Sequence, residues 1–278
     1  AVISKKIKQF LRNISTLEHW RVIDNNQIED TYLHLSKHIS ISPDSFFRGL
    51  KPHIKIENAT DFKNKWLSKH LITRTNHDNY MRKLKWSDLK AFDIIYNTLP
   101  ENCNLHLGNS SPVRYMQLFS QIRGVNYYSN RGVSGIDGST STTAGIAYSQ
   151  PNSLNILISG DLSFVYDINA LWNNHLTENL KIIVINNNGG GIFRIIPGPD
   201  TTKSLENFFE VGNNAAIKDL ASAHNINYYS AKNAAELEGN ITSFYNPQNN
   251  NRPAILEIFT PNESNAVILK YYFNALKH

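Results

Sequence analysis

The sequence contains a single cysteine, Cys103, in 278 residues. One thiol supports neither a disulfide framework nor a cysteine-based zinc site, so Cys103 reads as a small buried hydrophobe. Long apolar runs are missing too: the longest, residues 154–159 and 182–185, fall far short of a membrane span. No strand-like run leads into G-x-G-x-x-G, and no Walker A sequence occurs, which removes the usual signatures of dinucleotide and nucleoside-triphosphate sites. There is no internal repeat and no heptad pattern. Charged residues make up only 18% against 41% hydrophobic, a globular balance rather than a disordered one. The net charge of +5 is mild and suits anionic small molecules as well as nucleic acid. The basic–aromatic run of Arg82, Lys83, Lys85 and Trp86 is short, and no nucleic-acid partner is expected from it. No secretory segment precedes Lys5, Lys6 and Lys8; the expectation is a cytoplasmic chain cut from a larger protein.

The length suggests roughly two domains at about 150 residues each, enough to bury a sizeable core. Residues 1–65 show little order beyond a strand at 20–24 and a short helix opened by Ser42-Pro43-Asp44. From Ser87 the pattern sharpens. Ser87 and Asp88 can cap a helix whose apolar face is Leu89, Phe92, Ile95 and Leu99. Strands are expected at 104–107, 126–129, 154–159, 180–185, 227–230 and 254–259. Helices are expected at 112–122, 144–148, 162–172, 214–224, 231–244 and 265–276. Strands alternating with helices imply βαβ units and a doubly wound, mostly parallel α/β sheet.

In such a sheet ligands bind beyond the carboxyl ends of the strands. Three ends carry unusual sequences: Gly108-Asn109-Ser110, Gly160-Asp161-Leu162-Ser163, and Asn186-Asn187-Asn188-Gly189-Gly190-Gly191. An Asp opening a helix offers a carboxylate beside free backbone N–H groups that favour a phosphate. An Asn tract followed by glycines offers amide oxygens and close backbone approach. Asp161 and Asn187 lie 26 residues apart, the span of one βαβ crossover, so their tips can meet. Hard oxygen ligands in that setting read as a cradle for Mg²⁺ and a diphosphate. Asp167 and Asn169 are candidates to buttress the Asp161 tip, and His175 and His224 are isolated.

Gly160-Asp161-Leu162-Ser163 followed by Asn186 to Phe193 resembles the motif of thiamine-diphosphate enzymes. With Gly108-Asn109-Ser110, Val113-Arg114 and the run Ser129 to Gly138, the chain is similar to the 2-succinyl-5-enolpyruvyl-6-hydroxy-3-cyclohexene-1-carboxylate synthases of menaquinone biosynthesis. The likeness is strongest over residues 100–200. It implies a diphosphate-binding domain at residues 66–278, preceded by the remnant of a central α/β domain at 1–65.

The resemblance also implies roles. Asp161, Asn187 and the Gly189 carbonyl would hold Mg²⁺. Ser110, Gly160, Leu162 and Ser163 would contact thiamine diphosphate, with Ile136 beneath its two rings. Arg114 and Arg131 would clamp substrate carboxylates, Lys5 and Lys6 would help hold the second substrate, and Ile192, Phe193 and Ile196 would line the reaction cavity. The implied reaction decarboxylates 2-oxoglutarate and adds the remaining unit to isochorismate. The glutamate that activates the cofactor would sit on the N-terminal pyrimidine-binding domain of a partner subunit in a homo-oligomer. No segment here matches that domain, so no catalytic residue is assigned and the chain alone is expected to be inactive. Two alternatives stay open: another thiamine-dependent decarboxylase or carboligase resembling acetolactate synthase, and a non-catalytic cofactor-binding assembly domain.

Overall fold

The computed structural model describes residues 4–54, 60–196, 198–212, 214–246 and 251–277. The chain divides into two units, Ala1–Leu67 and Ser68–His278.

In the first unit, helix α1 (Lys5–Arg12) starts at Ser4, whose hydroxyl accepts the Ile7 N–H. Strands β1 (His19–Val22) and β2 (Leu35–Ile39) form a two-stranded parallel sheet. Helix α2 (Pro43–Leu50) begins as its sequence dictates, with Ser42 accepting the Ser45 N–H and Pro43 pre-set for the first turn. A single 3₁₀ turn follows at Lys51–His53. Helix α1 and strand β2 are additions to the sequence reading: the apolar pattern of each is too short to stand out. No described hydrophobic side chain of this unit is buried; the apolar core begins at Met81.

The division falls inside helix α3 (Thr60–Arg82). This helix escapes a periodicity search because polar residues interrupt any apolar stripe along it. The second unit continues with α4 (Asp88–Thr98), β3 (Asn104–Leu107), α5 (Ser111–Met116), β4 (Asn126–Tyr128), α6 (Ser139–Ser149), β5 (Asn155–Gly160) and α7 (Asp161–Tyr166). Then come β6 (Leu180–Asn186), α8 (Ile217–Ala223), β7 (Asn227–Ala231), α9 (Ala234–Tyr245), β8 (Ala254–Phe259) and α10 (Asn262–Ala275). The strands form one six-stranded sheet in the order β4-β3-β5-β6-β8-β7, with every pairing parallel.

The central strands are buried on both sides, which is why β5, β6 and β8 are mostly apolar, with few polar residues such as Asn155, Lys181 and Glu257. Leu157, Leu180, Ile182, Val184 and Ile255 pack under Phe164 of α7, Ala144 and Ala147 of α6, and Ile217 and Ala221 of α8. On the opposite side α4 and α9 pack together, α9 also meeting β7 and β8. The sheet is thus doubly wound. From β3 the chain steps outward to β4, then crosses back to β5 on β3's other side. That reversal opens a crevice at the carboxyl ends of β3 and β5. Register aligns the next tip as well, pairing Gly160 with Ile185.

The helix expected at 214–224 starts only at Ile217, and two others stop well before their sequence pattern does. The one at 112–122 stops after Met116: the Leu118 and Phe119 N–H groups bond three residues back, and the Ile122 N–H goes to the Tyr127 hydroxyl. The one at 162–172 breaks at Asp167, whose carboxylate accepts the Ser141 N–H and hydroxyl instead. Asp167 therefore anchors the first turn of α6, and that helix starts at Ser139 rather than near 144. Among the described residues no helix is long and apolar enough to cross a membrane.

Candidate active site

Three strand tips and one loop surround a hollow at the carboxyl edge of the sheet. Its lining includes Ser110, Ile136, Gly160, Asp161, Leu162, Ser163, Asn187 and Gly189, with Ile192 and Phe193 at one side.

The β3 tip turns sharply at Ser110, which takes a left-handed φ of 71°. Asn109, buried beside it, organises the neighbourhood. Its amide nitrogen donates to the Asn130 and Gly135 carbonyls at 2.7 and 2.5 Å, and its oxygen accepts from Arg131 Nη1 at 2.7 Å. Residues 130–135 are so tied to the end of β3. Arg114 donates to the Ser110 carbonyl. Burial and the neighbouring Arg131 charge both lower the hold of the Arg114 guanidinium on its proton.

At the β5 tip, Asp161 opens α7. Ser163 donates its hydroxyl proton to the Ile136 carbonyl, which draws the loop over the strand end and sets Ile136 in the hollow. A hydroxyl has one proton, so Ser163 in this arrangement presents only its lone pairs to a ligand. Helices α5 and α7 have six residues each, which limits how much dipole their ends can offer. The oxygen donors and the glycine tip carry more of the site's chemistry.

At the β6 tip, Gly189 has a φ of +140°, and a Cβ there would stand 2.6 Å from the Glu210 carbonyl oxygen. Only glycine fits. The Gly190 N–H donates to that same carbonyl. A π-helix, Leu205–Glu210, supplies it, held in turn by two hydrogen bonds from Arg194 to the Glu210 carboxylate at 2.5 and 2.7 Å. The Gly189 backbone N–H faces the Asp161 carboxyl and lowers its pKa, and the β5 and β6 tips line the same hollow. Asn187 turns its amide nitrogen to Asp88 at 3.0 Å.

Burial pushes the carboxyls of Asp88 and Asp161 up to about 6 each. At Asp161 the charge of Asp88 adds to this, against backbone hydrogen bonds from Leu162 and Gly189. Two buried carboxylates so placed favour a cation between or beside them. Among the described residues no group of three or more His, Cys, Asp or Glu is placed to hold a metal. The oxygen donors that could hold a cation here are the Asp161 carboxylate, the Asn187 amide oxygen and backbone carbonyls. That hard-oxygen set suits Mg²⁺, which keeps much of its sphere for phosphate and water.

The remaining sequence candidates lie elsewhere. Arg114, Arg131 and Ile196 are outside the hollow's lining, though Arg114 and Arg131 reach its rim through Ser110 and Asn109. Lys6 is exposed on α1 of the first unit, and the side chain of Lys5 lies outside the described residues. Asp88 and Glu210 are additions to the sequence reading. Asp88 had one signal, since Ser87 already caps α4 by accepting the Lys90 N–H and a second capping residue is redundant. Glu210 had none, because it acts through its backbone carbonyl.

Residues 109–258 match the family described as thiamine pyrophosphate enzyme, C-terminal TPP binding domain. The chain is also similar to proteins named 2-succinyl-5-enolpyruvyl-6-hydroxy-3-cyclohexene-1-carboxylate synthase. Identity is 41% to that of Flavobacterium johnsoniae, covering 99% of this chain and 49% of the relative. It is 42% for Christiangramia forsetii, with 99% and 47% covered, and 37% for Porphyromonas gingivalis, with 98% and 48% covered. The chain spans about half the length of the curated relatives it matches.

Proposed function

The chain belongs to the thiamine pyrophosphate enzymes, through their C-terminal TPP-binding domain, and from that premise we propose that it is the diphosphate-binding half of a synthase that decarboxylates 2-oxoglutarate and joins the remaining unit to isochorismate in menaquinone biosynthesis. The observation that carries the reading is the meeting of the Asp161 and Asn187–Gly189 tips around one hollow at one end of a parallel sheet. The donor set fits the group: a carboxylate, an amide oxygen and a backbone carbonyl for Mg²⁺, beside a glycine tip that admits no side chain.

In this reading Asp161, Asn187 and the Gly189 carbonyl hold Mg²⁺, Ser110 and the backbone N–H groups of the Gly160–Ser163 turn receive the diphosphate, and Ile136 supports the rings. When bound, thiamine diphosphate supplies the electron sink that a 2-oxo acid needs to lose CO₂. Arg114 and Arg131 fix substrate carboxylates and hold positive charge where negative charge develops. Ile192 and Phe193 line the reaction cavity and, with Ile196, keep water from the reacting centre. The activating glutamate comes from the N-terminal domain of a partner subunit in a cytoplasmic homo-oligomer, and the chain by itself is inactive.

Calorimetric titration of Mg²⁺ and thiamine diphosphate into the protein and its Asp161→Ala variant tests the cradle: binding is expected only in the former, and equal heats overturn it. Assays of the complete protein with 2-oxoglutarate and isochorismate, against pyruvate, test the substrates. Turnover of pyruvate instead would reassign the enzyme to the acetolactate-synthase type.

A further inference from the structure

An asparagine carboxamide has two ends of nearly equal size, and only its oxygen can bind a cation. Something must decide which end of Asn187 faces the hollow. The neighbour on its far side is Asp88, 99 positions earlier in the chain, which accepts from Asn187 Nδ2 at 3.0 Å. Asp88 is 2% exposed and forms no ion pair with a described residue. It is held from two further directions: its other oxygen accepts the Thr260 hydroxyl, and its backbone N–H donates to Asn265 Oδ1 at 3.0 Å. Thr260 is itself fixed where β8 ends, its N–H bonded to the Asn186 carbonyl. The ends of β6 and β8 and the starts of α4 and α10 therefore converge on one carboxylate. Helix capping does not require it, since Ser87 performs that role. Gly191 leaves room for this orientation, because a Cβ there would lie 3.0 Å from Asn187 Nδ2.

We propose that Asp88 is a positioning residue for the cation site: an acceptor-only group that takes the amide nitrogen of Asn187 and so leaves its oxygen to the metal. This rests on the reading of Asp161, Asn187 and Gly189 as the Mg²⁺ ligands. An ionised carboxylate has no proton to donate, so the opposite amide orientation would set oxygen against oxygen. Outer partners of this kind commonly govern metal affinity by tenfold to a hundredfold.

The test measures, in the complete protein, the Mg²⁺ concentration that half-saturates thiamine diphosphate binding, by calorimetry without substrate. Asp88→Asn keeps the shape but lets the neighbour donate or accept, and the half-saturating Mg²⁺ concentration is expected to rise at least about tenfold. The reciprocal pair, Asp88→Asn with Asn187→Asp, restores a donor–acceptor contact of reversed polarity and leaves a carboxylate oxygen toward the metal. It is expected to recover Mg²⁺ binding, which a purely structural role for Asp88 would not produce. Thermal melting of the metal-free variants checks that both fold, and Thr260→Val, which loosens Asp88 without altering it, is expected to raise the Mg²⁺ requirement in the same direction. Wild-type affinity in Asp88→Asn, or no recovery in a folded reciprocal pair, overturns the positioning role. Absence of Mg²⁺-dependent binding in the wild-type protein instead overturns the cofactor reading on which it rests.

Discussion

Arg131 hangs from Asn109, its Nη1 bonded to the buried amide oxygen at 2.7 Å, while its Nε is buried with no hydrogen-bond partner among the described residues. It stands close enough to Arg114 to lower that guanidinium's hold on its proton. Two like charges held together by neutral partners are a prepared anion site. Arg131→Lys keeps the charge but loses the planar fork. Loss of a charge-assisted contact of about 1.5–3 kcal/mol is expected to raise KM for the proposed 2-oxo diacid by roughly tenfold to a hundredfold, with a smaller change in kcat. Steady-state kinetics of the complete protein checks this, and an unchanged KM would remove Arg131 from substrate binding.

Gly189→Ala places a methyl group 2.6 Å from the Glu210 carbonyl at a φ of +140°. The obstacle is backbone, so it cannot swing aside. The expected cost is about 2–4 kcal/mol in urea unfolding. Gly160→Ala is the control: no atom lies within 4 Å of its added carbon, and the change is expected to stay within about 1 kcal/mol.

Lys181 lies fully buried in β6 with no hydrogen-bond partner for its amine among the described residues, and burial lowers it from 10.5 to about 8. Between those values the unfolded chain binds the proton more tightly, so stability rises with pH from 8 to 10.5 and the whole penalty is present below 8. Lys181→Met is expected to stabilise the protein at pH 7 by up to about 3 kcal/mol. The gain should fade above pH 10. Urea melts across that range check it.

His106 behaves in the same sense at lower pH. Burial takes it from 6.5 to about 4, and its neutral ring stacks on Tyr128 at 5.0 Å. The stability this provides is complete above 6.5 and lost as pH falls toward 4, about 3 kcal/mol in all. His106→Gln is expected to lose less stability than the wild-type protein over that interval. Identical acid limbs in paired melts would count against it.

Much of the second unit can be read in the chain. Residues 104–107 and 254–259 coincide with β3 and β8: Ile255, Leu256, Ile258 and Phe259 make β8 apolar apart from Glu257, and Leu105 and Leu107 alternate with the buried polar Asn104 and His106 in β3. Helix α4 is legible from Ser87 and the spacing of Leu89, Phe92 and Ile95, all buried. Helix α3 is not, because no apolar stripe marks it. The helix at 162–172 was overextended because its break depends on Asp167 reaching Ser141, a contact that local periodicity does not encode.

The sequence by itself marked 154–159 and 180–185 as buried strands, and it put Asp161, Asn187 and the glycines at strand ends, because apolar stretches and punctuating residues are local properties. Tertiary structure alone decided the order of the strands, the grip of the Glu210 carbonyl on the glycine tip, and the choice of Asp88 to orient Asn187. Those choices depend on which groups meet in space after the sheet closes. A hydrogen bond between residues 99 positions apart leaves no period or motif in the chain that forms it.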